Sequence, residues 1–256
     1  MDVRDLRFYG RAFSDAEGSW PDALRARLRR EGKAVVMARL GFGDKLRFLW
    51  RFPATLRRMR RVDLSAIRAR GMDNEPFLRQ QVEYIALFST LAELRGLDEA
   101  ISICKAIMEV DVSKQALALC LPEADRLAAF DDPHAAMRAW LDPVPDAARA
   151  AGCHDLEVVD LEPGVFGMNV SWCVWLELAR TLGVPDACLP NCYADDLVFP
   201  AYFDALGIRY SRSQTLAGGG RCCDFRFERI GSPVAGASLP GDAEVRGERG
   251  GDADDG

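Results

Sequence analysis

Leu78, Val82, Ile85, Phe88 and Ala92 recur at steps of three and four residues, the stripe of a helix over Glu75–Leu94 that Gly96 ends. Asp98 caps a second helix whose buried face is Ile101, Cys104, Ile107 and Met108, so the two read as an αα-hairpin. An Ala-rich helical region follows from about Lys114 to Trp140, interrupted by Pro122 and Pro133 and closed by DPVPD. After Cys153 the period shortens. HDLEVVDLE alternates as a strand bounded by Pro163-Gly164, and SWCVWLELARTLG returns to helix. IRYSRSQTL and CDFRFERI then read as two strands joined by AGGGR. In the second of these, period two sends Cys223 and Asp224 to opposite faces. Helices first and a helix-interrupted sheet afterwards predict an α+β fold, with N-terminal helices packed on a small antiparallel sheet that has a helix inserted between its strands.

Before Gly71 the pattern differs. Segments such as RARLRR and LRRMRR interleave arginine with apolar residues, predicting short basic helices broken at Pro53 and Gly71. Three divisions are expected: a basic helical arm over 1–71, an α+β domain over 72–230, and a disordered acidic tail over 231–256 with too few large apolar residues to offset ordering entropy.

Charge changes this picture little. Residues 1–71 hold 18 Lys/Arg against 8 Asp/Glu within a chain of net charge −6, so the rest is strongly acidic. The basic helices have an acidic body to lie against, and no nucleic-acid motif accompanies them, so no nucleic-acid partner is expected. No window has the apolar length of a membrane span and MDVRDLRFYG lacks the form of a signal peptide, so a cytoplasmic protein without a membrane partner is expected. The expected partner is a small-molecule substrate; oligomeric state is left open.

Eight cysteines, at 104, 120, 153, 173, 188, 192, 222 and 223, then become the candidate chemistry. Reduced thiols fit a chain of 256 residues better than a disulfide framework, and Cys104 and Cys120 fall in apolar helical stretches as core residues. A zinc site would need four ligands, usually as two short pairs, whereas CLPNC supplies one pair and Cys222-Cys223 point apart, so no cofactor is expected. Thiol catalysis points to Cys192 in PNCYADD and to Cys223, which follows Arg221 and Cys222. The only histidines, His134 and His154, are distant from both in sequence, so a Cys/His pair requires folding. Asp195, Asp196 and Asp224 are candidate general bases, with capping of a following helix as the alternative for the first two. Arg209 and Arg212 offer forked donors for a substrate carboxylate, or for structural ion pairs.

Taken in order, FGMNVSWCVWLELARTLGVPDACLPNCYADD and GIRYSRSQTLAGGGRCCDFRF resemble the L-2-amino-thiazoline-4-carboxylic acid hydrolase family over about residues 75–230. The family pattern falls on Asn169, Cys173, Cys192, Asp195, Arg212, Thr215, Gly218, Gly219, Cys223, Asp224 and Phe225. Ser213 stands where the family usually has threonine, and Cys222 adds a thiol beside the matched one. The resemblance implies hydrolytic opening of a cyclic amidine carboxylate. Cys192, Asp195, Cys223 and Asp224 would then carry the catalysis, and Asn169, Cys173, Arg212 and Thr215 would bind substrate. Cys192 with Asp195 is the preferred pair, in a pocket lined by Trp172, Phe199 or Tyr202. The glycine-then-cysteine hairpin is also similar to 4-vinyl-reductase-like and transport-complex-like domains, which implies as the alternative a non-catalytic sensor, with or without a thiolate-bound metal.

Overall fold

The computed structural model describes residues 1–231; the tail expected over 231–256 lies, apart from Gly231, outside the described residues. Helices precede the sheet, as the periodicity predicts. They are α1 (Phe13–Gly18), α2 (Asp22–Arg39), α3 (Phe42–Met59), α4 (Ser65–Arg68), α5 (Glu75–Arg95), α6 (Leu97–Glu109), α7 (Asp111–Ala118), α8 (Ala124–Ala128), α9 (Pro133–Leu141) and α10 (Val144–Ala150). Strands β1 (His154–Glu162) and β2 (Val165–Cys173) follow, then α11 (Val174–Thr181), α12 (Leu189–Asp204), β3 (Ile208–Arg212) and β4 (Cys223–Arg229). All pairings are antiparallel in the spatial order β1-β2-β4-β3, so the fold is α+β with two helices inserted between the sheet's hairpins.

Three local expectations are corrected. Ser171, Trp172 and Cys173, read as the start of a helix, instead close a strand over Val165–Cys173. Its apolar positions Phe166, Met168 and Val170 alternate, but Gly167, Asn169 and Ser171 between them weaken the propensity, and the strand runs into α11 without a loop. Helix α3 passes through Pro53, which lies on an exposed side where the carbonyl left without an intrahelical donor faces water. Gly96, rather than Asp98, occupies the N-cap of α6, and Asp98 sits in its first turn.

The sheet buries one face. Leu156, Met168, Val170, Phe225 and Phe227 turn inward, and Phe227 packs against Phe166 at 4.9 Å and Phe203 of α12 at 4.8 Å between ring centroids. Residues of the basic segment enter the same buried cluster through Leu6, Val36, Phe48 and Ile67. The other face carries Glu157, Asn169, Arg226 and Glu228. Gly167 leaves room there for the Arg226 side chain, since a Cβ would lie 2.7 Å from its Nη1.

Candidate active site

Cys173 ends β2 and caps α11, and the β1–β2 register sets it directly opposite His154. The two meet on the inner side of the sheet end. Cys173 is held well below the ordinary thiol range: a hydrogen bond from the Cys188 thiol contributes most, burial opposes it, and the hydrogen bond and charge of His154 and the Leu176 N–H add to it. Burial works against charge on His154, but the charges and hydrogen bonds of Cys153 and Cys173 outweigh it and hold the imidazole well above its ordinary value. A thiolate–imidazolium pair is the state this environment favours. Cys153 Sγ lies 3.2 Å from His154 Nδ1, and the Trp175 ring stacks on the imidazole at 5.0 Å between centroids. Cys188, donating to Cys173 and bonded also to Cys192, is held well above the usual thiol value.

Helix geometry explains the α12 side of this cluster. Cys188, Cys192, Asp195 and Asp196 are spaced at i, i+4, i+7 and i+8, so the start of α12 presents them along one side. That side meets Arg212 at the end of β3. Its guanidinium donates to Asp195 at 2.8 Å, to Asp196 at 2.8 Å and to the Cys192 carbonyl at 2.7 Å, and its side chain is only 4% exposed. Burial pushes the Asp195 carboxyl up to about 7 despite the charge and hydrogen bond of Arg212. One expectation is corrected here, since Asp195 and Asp196 lie inside α12 rather than capping a helix. Of the two uses open to Arg212, pairing with carboxylates of the protein is the one its bonds to Asp195 and Asp196 make.

The remaining matched residues divide between the faces of the sheet. Cys223 turns inward, where burial pushes its thiol up to about 12, and its sulfur accepts from the Leu216 N–H at 3.3 Å. Asp224 turns the other way. It accepts from the Ser213 N–H at 2.9 Å, the Ser213 hydroxyl at 2.5 Å and the Gln214 N–H at 2.8 Å. Burial opposes ionisation there, but these donors keep the carboxyl below its usual range and pin the β3–β4 loop. Ser213, the departure from the family's threonine, retains the hydroxyl this requires. Asn169 shares that outer face, donating to Glu157 at 3.1 Å and accepting from Arg226 at 2.9 Å. Thr215 lies in the loop, where its hydroxyl accepts from the Gly218 N–H at 3.0 Å and Gly219 supplies the positive φ of 86°. The structure therefore gathers Cys173, Cys192, Asp195, Arg212 and Cys223 on the inner side, and separates Asn169, Asp224 and Thr215 from them.

Sequence reasoning passed over Glu17, which had no signal, and gave His154 and Cys188 no role of their own, although a Cys/His pair formed by folding and the four-residue step from Cys188 to Cys192 were the signals for them. Glu17 is 8% exposed and accepts from Gln80 at 2.8 Å, Gln81 at 2.5 Å and Trp175 Nε1 at 3.2 Å. Burial outweighs those bonds and pushes its carboxyl up to about 7, one indole away from the imidazole.

His154 also reaches outward, to a surface recess of about 180 Å³ lined by Arg70, Arg149, Gly152, Asp155 and Trp172. Arg70 lies 4.0 Å over the Trp172 ring and pairs with Asp155 at 2.5 Å. Of the other expected lining residues, Phe199 packs on Tyr210 and Phe225, and the Tyr202 hydroxyl donates to the Pro122 carbonyl. Among the described residues, no group of three or more His, Cys, Asp or Glu side chains is placed to hold a metal ion.

The sequence pattern of a known family, described as L-2-amino-thiazoline-4-carboxylic acid hydrolase, matches residues 78–227, more than half of the chain. No curated protein and no solved structure matches at the significance required.

Proposed function

Since the chain belongs to the L-2-amino-thiazoline-4-carboxylic acid hydrolase family, we propose that it opens a small cyclic amidine carboxylate, with Cys173 as nucleophile and His154 as its acid–base partner. The observation that carries this reading is the Cys173–His154 pairing, with thiol and imidazole shifted in the directions that favour the ion pair. We prefer it to Cys192 with Asp195 because the carboxylate of Asp195 is engaged by Arg212, whereas Cys173 has an imidazole beside it.

The amidine carbon of such a ring lies between two nitrogens and a sulfur. The Cys173 thiolate adds to it, the ring carbon–sulfur bond breaks, and His154 gives its proton to the departing sulfur, leaving an isothiourea on Cys173. Water then adds with neutral His154 taking its proton, and the bond to Cys173 breaks to restore the thiolate. The product is a ureido acid with one free thiol, so one water is consumed per turnover. Cys188 donates to the sulfur of Cys173 in the resting state. Asp195, with its raised carboxyl value, and Arg212 hold the start of α12 against the sheet. The substrate carboxylate meets Arg149 in the recess that His154 borders, where Arg70 is paired with Asp155.

Purified chain given L-2-amino-thiazoline-4-carboxylate should release one thiol per substrate consumed. Cys173→Ala should abolish that release while Cys192→Ala retains most of it. The converse result would transfer the nucleophile to Cys192, and tight binding without turnover by the wild-type chain would favour a sensor.

A further inference from the structure

Helix α3 has two apolar sides. Phe48, Thr55 and Met59 are buried on the side that packs against α5. Phe42, Leu46, Leu49 and Trp50 project the other way and are 80%, 54%, 53% and 84% exposed. Their spacing of i, i+4, i+7 and i+8 makes one continuous stripe over two turns. The other exposed large apolar residues among those described, Met1, Leu97, Leu161 and Ile230, are scattered singly over the fold. Scattered residues of that kind are ordinary, whereas a contiguous stripe marks a contact surface.

The charges around the stripe identify what it contacts. At 100° per residue, Lys45 falls on one flank and Arg47 on the other, with Arg57 at the C-terminal end of the stripe. The helix holds a single carboxylate, Asp44, which is already paired with Arg95 at 3.0 Å and Arg47 at 3.5 Å. Lys45 and Arg57 have no carboxylate within ion-pair reach among the described residues. Aromatic and leucine side chains between long cationic ones, on the convex outside of a single helix, suit a flat medium with apolar depth and surface phosphates. They do not form the concave seat that a partner helix needs.

We propose that α3 is an interfacial anchor by which the protein docks on an anionic lipid bilayer, with Phe42, Leu46, Leu49 and Trp50 in the headgroup–acyl boundary and Lys45, Arg47 and Arg57 against lipid phosphates. No helix of the described residues is long and apolar enough to cross a membrane, so the docking is peripheral. The expectation of no membrane partner came from the lack of a span and a leader, which bears on crossing and not on lying flat. The anchor lies outside the family-matched segment 78–227, and its assignment stands or falls independently of the hydrolase reading.

Flotation of the full chain with vesicles of phosphatidylcholine, alone or mixed with phosphatidylglycerol, tests this. The chain should float with the mixed vesicles, much less with the neutral ones, and added salt should weaken binding. Phe42→Ser with Trp50→Ser should abolish flotation while leaving the thermal melt unchanged, since both side chains project into solvent. Lys45→Gln should weaken partitioning about fivefold, the equivalent of roughly 1 kcal/mol per surface cation. Absence of flotation, or flotation indifferent to Phe42 and Trp50, would overturn the proposal. So would a chain dimer in sedimentation that the same double variant dissolves without any vesicle binding, which would make a second copy the occupant.

Discussion

The two faces of the β2–β4 pair carry residues that alternate in sequence yet meet opposite environments. Inward, Cys173 and Cys223 join thiols, an imidazole and a buried carboxylate; outward, Asn169 and Asp224 join Glu157, Arg226 and the loop after β3. On the inner side, burial raises the carboxyls of Asp195 and Glu17 to about 7. On the outer side, backbone and hydroxyl donors keep Asp224 below its usual range. One pleated sheet thus separates groups available for proton transfer from groups that fix the backbone, although a family motif lists them together.

Removing the inner thiolate should give the largest effect. Cys173→Ala should reduce turnover of the amidine substrate by about a thousandfold or more, and His154→Gln by about a hundredfold or more, with thermal stability measured alongside. Equal loss from Asp224→Asn at unchanged stability would erase the distinction between the faces. Alkylation sharpens it further. At pH 6, where an ordinary thiol is less than about 1% ionised, iodoacetamide should modify Cys173 first, and mapping by mass spectrometry should show that preference disappear in His154→Gln.

Stability against pH should then separate the faces by sign. Glu17 has its folded value raised from 4.5 to about 7, so its stabilising contribution is full below pH 4.5 and is lost as pH rises through 7. In denaturant titrations, Glu17→Gln should remove up to about 3 kcal/mol of that decline. Asp224 is shifted the other way, so its contribution is present above its unfolded value near 3.8 and is lost only as pH falls through its lower folded value. Asp224→Ala should lower unfolding free energy at pH 7 by about 2 kcal/mol while sparing activity per folded molecule. The smallest effect should come from Asn169→Ala, within about 1 kcal/mol of wild type and with turnover unchanged, because its partners lie near solvent. A large activity loss there would return Asn169 to the substrate site.

Much of the fold was legible because its signals are local. The stripe from Leu78 to Ala92, the alternation of HDLEVVDLE and the glycine-rich turn before CDFRF each act within one element. Strand β2 was missed because Gly167, Asn169 and Ser171 dilute its strand propensity and because it enters α11 without punctuation. Of the site, the thiols and Arg212 were visible by residue type, but their partners were not. Arg212 reads as a free donor until α12 brings Asp195 and Asp196 against it.

By itself the sequence determined most of the helices, three of the four strands, the family and the set of reactive side chains, all of which depend on composition and short-range periodicity. Only the tertiary structure decided which groups stand beside each thiol. That choice depends on antiparallel register, which places His154 opposite Cys173, and on the helix that aims Cys188 at the same sulfur. A thiol's acidity answers to distances of a few ångströms, and those are set by chain segments that the sequence keeps far apart.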